Sequence, residues 1–105
     1  MENEDFKDVL ENRDGRFLFV KFGASWCGPC KIIQPMLETL AGLYEETCDF
    51  YAIDVDDDPD IANVYSIRSV PTMLLFSPTG KVLGKLVGRQ TFQEMRAFVK
   101  NRIRK

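Results

Sequence analysis

The feature that most restricts the fold of this chain is a pair of cysteines three positions apart, Cys27 and Cys30. Residues 17–20, just before them, are all apolar, which is typical of a strand buried on both faces of a sheet. After them, from residue 32 to residue 44, apolar side chains recur at helical spacing over several turns. The cysteines therefore lie at the junction of a buried strand and a long helix, which indicates an α/β architecture.

The rest of the chain continues this alternation in the order helix, strand, helix, strand, helix, strand, strand, helix. The predicted elements are a helix near residues 4–12, strands at 17–22, 50–55, 72–76 and 82–87, the long helix, a short helix opened by Asp58-Pro59, and a last helix behind the capping box Thr91–Glu94. Pro35 within the long helix predicts a kink there. We expect crossovers to pair the first strands in parallel and the final hairpin to add an antiparallel edge, in one α/β domain of residues 1–105 with helices on both faces of the sheet.

Cysteine and histidine counts exclude several kinds of site. Three cysteines and no histidine cannot supply the four Cys/His ligands of a tetrahedral zinc site, nor the four cysteines of an iron–sulfur cluster. A Cys–His hydrolase is excluded as well, because the chain has no imidazole to act as the base. We therefore expect no metal and no bound cofactor. Cys48, outside the pair, is interpreted as a half-buried thiol near a helix end, with glutathionylation or an intermolecular disulfide as the alternative.

Charge and hydropathy restrict the partners and the location. A net charge of -2 and a pI near 5.1 argue against nucleic acid as the main partner. No stretch approaches the roughly 20 apolar residues of a membrane span, and the first residues have no signal-peptide pattern. We expect a soluble, cytoplasmic protein, a compartment in which structural disulfides are rare.

The cysteine spacing suits reversible disulfide exchange. Cys27 is placed where the long helix begins, and the free N–H groups and partial positive charge of a helix start stabilise a thiolate. Cys30 follows one turn later, close enough to attack a mixed disulfide formed at Cys27. Pro29 is tolerated in a first helical turn. C-x-x-C at a strand–helix junction is a redox motif, and two inert core cysteines remain the alternative.

The sequence resembles the thioredoxin family over essentially the whole chain from Phe6. The residues that carry the resemblance are WCGPCK at positions 26–31, Pro35, Ser-Val-Pro-Thr at 69–72 and Val-Gly at 87–88. The resemblance implies a three-layer sandwich, with Cys27 as the attacking thiol and Cys30 as the resolving thiol. It also implies a cis Val70–Pro71 bond beside the cysteines, a Val70 backbone that pairs with a substrate strand, and an apolar rim for protein substrates. That substrate-binding rim consists of Trp26, Gly28, Pro29, Val70, Pro71 and Gly88.

The function that this resemblance implies is reduction of protein disulfides by a thiol–disulfide oxidoreductase. Its redox group would be the reversible Cys27–Cys30 disulfide alone, with electrons from an external, thioredoxin-reductase-like donor, and the protein would act as a monomer. Two alternatives stay open at this point: a more oxidising disulfide oxidase or isomerase, and a redox-coupled binding module or chaperone subunit with weak turnover.

The chain departs from the family pattern at three places. Lys21 stands where the family usually has a buried aspartate, and Ala52 stands where it often has a lysine. Lys21 either takes part in proton transfer or pKa tuning, or extends to the surface with no chemical role. Residues 1–4 lack strand character, which predicts a mixed sheet of four strands, with five as the alternative, and residues 1–3 irregular. The third departure is one extra residue in the turn at 77–80.

Overall fold

The computed structural model describes residues 3–11 and 14–103, and the elements follow the predicted order. They are α1 (Asn3–Glu11), β1 (Phe17–Gly23), α2 (Gly28–Leu43), β2 (Cys48–Asp54), α3 (Pro59–Val64), β3 (Thr72–Phe76), β4 (Val82–Val87) and α4 (Phe92–Arg102). The expectation of an irregular start at residues 1–3 is wrong at Asn3, where α1 begins, while Met1 and Glu2 lie outside the described residues. Phe6 of this helix is buried.

The four strands form one mixed sheet with the order β2-β1-β3-β4. β1 pairs with β2 in parallel, whereas β3 is antiparallel to both β1 and β4. The expected parallel pairing of the first strands therefore holds for β1 and β2 only. Between β2 and β3 the chain forms one short helix, α3, whose six residues span about 9 Å, and it does not return along the roughly 23 Å of a seven-residue strand before β3 begins. The chain consequently enters β3 at the same end of the sheet at which it leaves β2.

Helices cover both faces of the sheet, so the protein is a three-layer α/β sandwich. Side chains of β1 alternate between two cores: Phe19 packs with buried residues of α2 and α4, while Leu18 and Phe22 pack on the opposite face with Phe6 of α1 and residues of α3. Every residue of β3 is buried, as is most of β1. The two central strands thus hold a rigid frame at whose end the cysteines are placed.

Helix termini follow the sequence signals with one exception. Thr91 and Glu94 form the predicted capping box of α4, each side chain bonding the other residue's backbone N–H. Asp58 occupies the N-cap position of α3, but its side chain makes no capping hydrogen bond. Its backbone, at φ -129° and ψ 64°, lies outside the extended conformation in which a capping side chain faces the helix. Pro35 lies inside α2, and the kink expected there stays a prediction.

Candidate active site

Cys27 and Cys30 form a disulfide at the amino-terminal end of α2, with Cα atoms 5.3 Å apart. Cys27 is the N-cap of this 16-residue helix, and its Sγ accepts a hydrogen bond from the Cys30 backbone N–H at 3.2 Å. Both side chains are 3% exposed, so exposure does not distinguish their roles, whereas position on the helix does. A negative sulfur at Cys27 would meet an N–H group and the positive end of the helix dipole.

The chain between β2 and β3 lies at the same end of the sheet as the cysteines, where β1 and β2 finish. Thr72 of β3 pairs with Phe22 of β1 on one side and with Val87 of β4 on the other, which places Pro71 and Gly88 next to that end. The Val70–Pro71 bond is cis, as the resemblance implied.

Two hydrogen bonds join the chain segments at this end of the sheet. The Gly88 N–H donates to the Pro71 carbonyl at 2.8 Å, and the Thr72 hydroxyl donates to the Ser69 carbonyl at 2.8 Å. Gly88 has a φ of +86°, a backbone conformation that residues other than glycine rarely adopt. The segments before β3 and after β4 are therefore fixed to each other at the cysteine end of the sheet.

Half of the expected substrate rim is exposed to solvent. Trp26 is 68% exposed, and its indole N–H donates to Asp56 Oδ2 at 2.8 Å, which fixes the ring in place. Gly28 and Pro29 are exposed, whereas Val70 and Gly88 are half-buried and Pro71 is buried. The rim residues thus lie at one end of the molecule, with an oriented aromatic ring beside the disulfide.

Lys21 does not extend freely to solvent. It is half-buried in β1, and its Nζ donates to Gln34 Oε1 of α2 at 2.6 Å. A Cβ on Gly23 would lie 3.4 Å from Lys21 Cε and 3.3 Å from Cys30 Sγ, so the lysine stem and the sulfur border the same point. Burial lowers the pKa of Lys21, and the negative charge of Glu38 opposes that effect. Ala52 pairs with Lys21 across the sheet and contributes no second amine.

Two residues of this neighbourhood were not predicted from the sequence. Gln34 accepts the Lys21 hydrogen bond, and its Nε2 donates to Glu38 Oε2 at 3.3 Å. Both also line a pocket of about 230 Å³ that Lys21 borders. Their only sequence signal is their spacing of four and eight residues from Cys30, which places all three on one face of α2.

Cys48 lies far from the disulfide. It is buried at the start of β2, opposite Phe17, so the expectation of a half-buried thiol is wrong, whereas the cysteine pair follows the other end of β1. The length of a seven-residue strand, about 23 Å, separates the two ends. Its thiol donates to the Asp49 carbonyl at 3.4 Å. Over residues 3–11 and 14–103, we find no group of three or more Cys, Asp or Glu side chains placed to hold a metal ion, and no helix long and apolar enough to span a membrane.

Comparison with known proteins gives concordant matches. A family model described as thioredoxin matches residues 1–101. A thioredoxin of Staphylococcus epidermidis is 46% identical over 88 residues, covering 84% of this chain and 81% of that protein. Thioredoxin 2 of Chlorobaculum tepidum is 41% identical over 86 residues, covering 82% and 77%. Among solved structures, a thioredoxin of Nicotiana alata superposes with a TM-score of 0.88 at 27% identity, over 96% of this chain and 87% of that one.

Proposed function

The chain belongs to the thioredoxin family and is a thiol–disulfide oxidoreductase that reduces disulfides, and we propose that Cys27 is its attacking thiol and Cys30 its resolving thiol. The observation that carries this assignment is the place of Cys27 as the N-cap of α2, with the Cys30 N–H directed at its sulfur. Charge stabilisation there favours the thiolate, which is the nucleophile in exchange. The oxidase, isomerase and binding-module alternatives are not favoured, because the matched relatives are thioredoxins.

The proposed reaction has two exchange steps. In the first, the Cys27 thiolate attacks one sulfur of the substrate disulfide, that S–S bond breaks, and the departing sulfur takes a proton. In the second, Cys30 loses its proton and attacks Cys27 Sγ, which breaks the mixed disulfide, and the second substrate sulfur leaves and takes up a proton to become a thiol. Two electrons and two protons have then passed to the substrate, and the protein holds the Cys27–Cys30 disulfide.

The substrate lies across the exposed rim in this proposal. Trp26, Gly28 and Pro29 border the disulfide on the helix side, and Val70, Pro71 and Gly88 border it on the sheet side. An extended substrate segment would pair with the backbone of Val70, and an apolar rim suits partially unfolded or flexible proteins. Gly88 has no side chain to obstruct that segment.

The proposed reaction requires an external source of electrons. Each turnover leaves a disulfide at Cys27 and Cys30 that an external donor must reduce, and a thioredoxin-reductase-like protein is the donor that the family implies. We propose protein disulfides as substrates, with no resident cofactor or metal. We also propose that residues 1–105 act as one domain, in a monomer located in the cytoplasm.

Insulin reduction by dithiothreitol, followed by turbidity, tests the proposed function. We expect the wild-type protein to accelerate precipitation of the insulin chains and Cys27→Ser to abolish the acceleration. Cys48→Ser is the matched control, because it also removes one buried thiol but at the opposite end of β2, and it should retain activity. No acceleration by the wild type, or equal loss in Cys48→Ser and Cys27→Ser, would contradict the proposal.

A further inference from the structure

A chain of hydrogen bonds links Lys21 to the outer surface of α2. Lys21 Nζ donates to Gln34 Oε1 at 2.6 Å, and Gln34 Nε2 donates to Glu38 Oε2 at 3.3 Å. Gln34 is half-buried and Glu38 is exposed, so the chain runs from the interior of the sheet face to solvent. We propose that Gln34 and Glu38 are positioning residues that hold the Lys21 ammonium within about one helical turn of Cys30 and thereby stabilise the dithiol form of the protein relative to its disulfide form.

The Lys21 ammonium is directed toward α2. A lysine stem at the edge of a pocket normally extends its ammonium into water. Here the ammonium is bonded to α2 instead, and the stem passes the point next to Gly23 that Cys30 Sγ also borders. Gln34 follows Cys30 by one helical turn, so a lysine bonded to Gln34 is held about one turn from the resolving sulfur. Gln34 is the side chain to which the ammonium is hydrogen-bonded.

The positive charge of Lys21 acts differently on the two redox forms of Cys30. A cation close to Cys30 favours the thiolate over the thiol, and a disulfide sulfur has no charge for it to stabilise. The cation therefore lowers the free energy of the reduced protein only. Glu38 is about two turns from Cys30 along α2, so its repulsion of a Cys30 thiolate is weaker than the attraction from Lys21. Its stronger effect is on Lys21, whose pKa burial lowers and Glu38 raises.

The surroundings add no competing charge. Besides Lys21 and Glu38, the one titratable side chain that lines the pocket within the described residues is Tyr51 of β2, and Ala52 faces Lys21 from the same strand. From α2, Leu37 and Ala41 complete the wall. Burial lowers the pKa of Lys21, Glu38 is the charge in this pocket that opposes it, and Gln34 is the hydrogen-bond partner of the ammonium.

The inference rests on the proposed role of Cys30, and an equilibrium measurement tests it separately. The Cys27–Cys30 disulfide is equilibrated with glutathione buffers in the wild type, Gln34→Leu, Glu38→Gln, Lys21→Met and the double variant Lys21→Met/Gln34→Leu. We expect Gln34→Leu and Lys21→Met each to shift the equilibrium toward the disulfide by about threefold to tenfold, and Glu38→Gln by less. Glu46→Gln is the matched control, since Glu46 is an exposed acid beyond the end of α2 and does not line this pocket.

The double variant decides whether Gln34 acts through Lys21. In that case Gln34→Leu has no further effect once Lys21 is methionine, and the pH dependence of Cys30 alkylation changes in parallel with the equilibrium. A shift of the same size in both backgrounds, or no shift in any variant, would overturn the inference. If the variants behave like the wild type while the wild type reduces insulin, the inference alone fails. If the wild type does not reduce insulin, the proposed function fails.

Discussion

Gly84 of β4 faces side chains of helix α4, and replacing it with alanine tests that packing. A Cβ on Gly84 would overlap with Arg102 Nε and would lie 2.8 Å from Phe98 Cε1. Arg102 is exposed and its side chain can move aside. Phe98 cannot move easily, because it is buried and its ring packs edge-on against Phe19 at 6.4 Å between centroids. The extra methyl therefore has to displace the ring or the helix.

The expected cost combines three effects. Inserting a methyl group into a packed region typically destabilises a protein by about 1–3 kcal/mol. Moving Arg102 from its place over the Phe98 ring, 4.2 Å from the centroid, adds about 0.5–1 kcal/mol at an exposed site. Relief of the glycine backbone entropy offsets about 0.5–1 kcal/mol. We expect Gly84→Ala to lower the free energy of unfolding by about 1–3 kcal/mol, which is a fall in Tm of about 5–15 °C for a chain of this size.

Thermal and urea unfolding followed by circular dichroism measure this effect in oxidised protein. Gly42→Ala is the matched control: Gly42 is exposed on α2, no heavy atom lies within 4 Å of its added Cβ, and alanine should stabilise the helix by up to about 1 kcal/mol. If Gly84→Ala unfolds at the wild-type temperature or above it, α4 does not pack against β4 as described. The size of the loss in an Arg102→Ala background shows how much of it comes from Phe98 alone.

Three further predictions concern single interactions. Burial lowers the pKa of Lys21 below 10.5, so between that lowered pKa and pH 10.5 the unfolded chain binds more protons than the folded protein. The free energy of unfolding of the wild type, relative to that of Lys21→Met, should therefore rise with pH through this interval, by no more than about 1 kcal/mol for a half-buried amine. A pH-independent difference in urea midpoints would refute this. Thr91→Ala removes the capping box with Glu94 and should cost about 1 kcal/mol of unfolding free energy, whereas an unchanged urea midpoint would mean that the cap is not formed in solution. Asp56→Ala removes the acceptor of the Trp26 indole N–H, and because the chain has one tryptophan, its fluorescence spectrum should change; identical spectra would show that the hydrogen bond is not populated.

Most of the fold was predictable because its signals are local. The apolar run at residues 17–20, the helical spacing after Cys30 and the capping box at Thr91 each specify an element without reference to the rest of the chain. The direction of β3 was not predictable in this way. It depends on how far α3 carries the chain across the end of the sheet, which sequence periodicity does not encode.

The site, like the fold, was predictable from the sequence only where its signals are local. The positions of Cys27 and Cys30 on α2 follow from their own spacing and the helix that contains them. The cis bond before Pro71 came from resemblance, since most X-Pro bonds are trans. The partnership of Lys21 with Gln34 requires the packing of β1 against α2, so the sequence left two readings of Lys21 open and gave no role to Gln34 or Glu38.

The central claim, that Cys27 attacks and Cys30 resolves, is tested most directly by trapping the mixed disulfide. Cys30→Ser and Cys27→Ser are each incubated in reduced form with a disulfide-bonded peptide, and the products are identified by mass spectrometry under non-reducing conditions. We predict that Cys30→Ser accumulates a mixed disulfide between the peptide and Cys27, while Cys27→Ser forms little adduct at Cys30. Faster or greater adduct formation at Cys30 in Cys27→Ser would contradict the assignment.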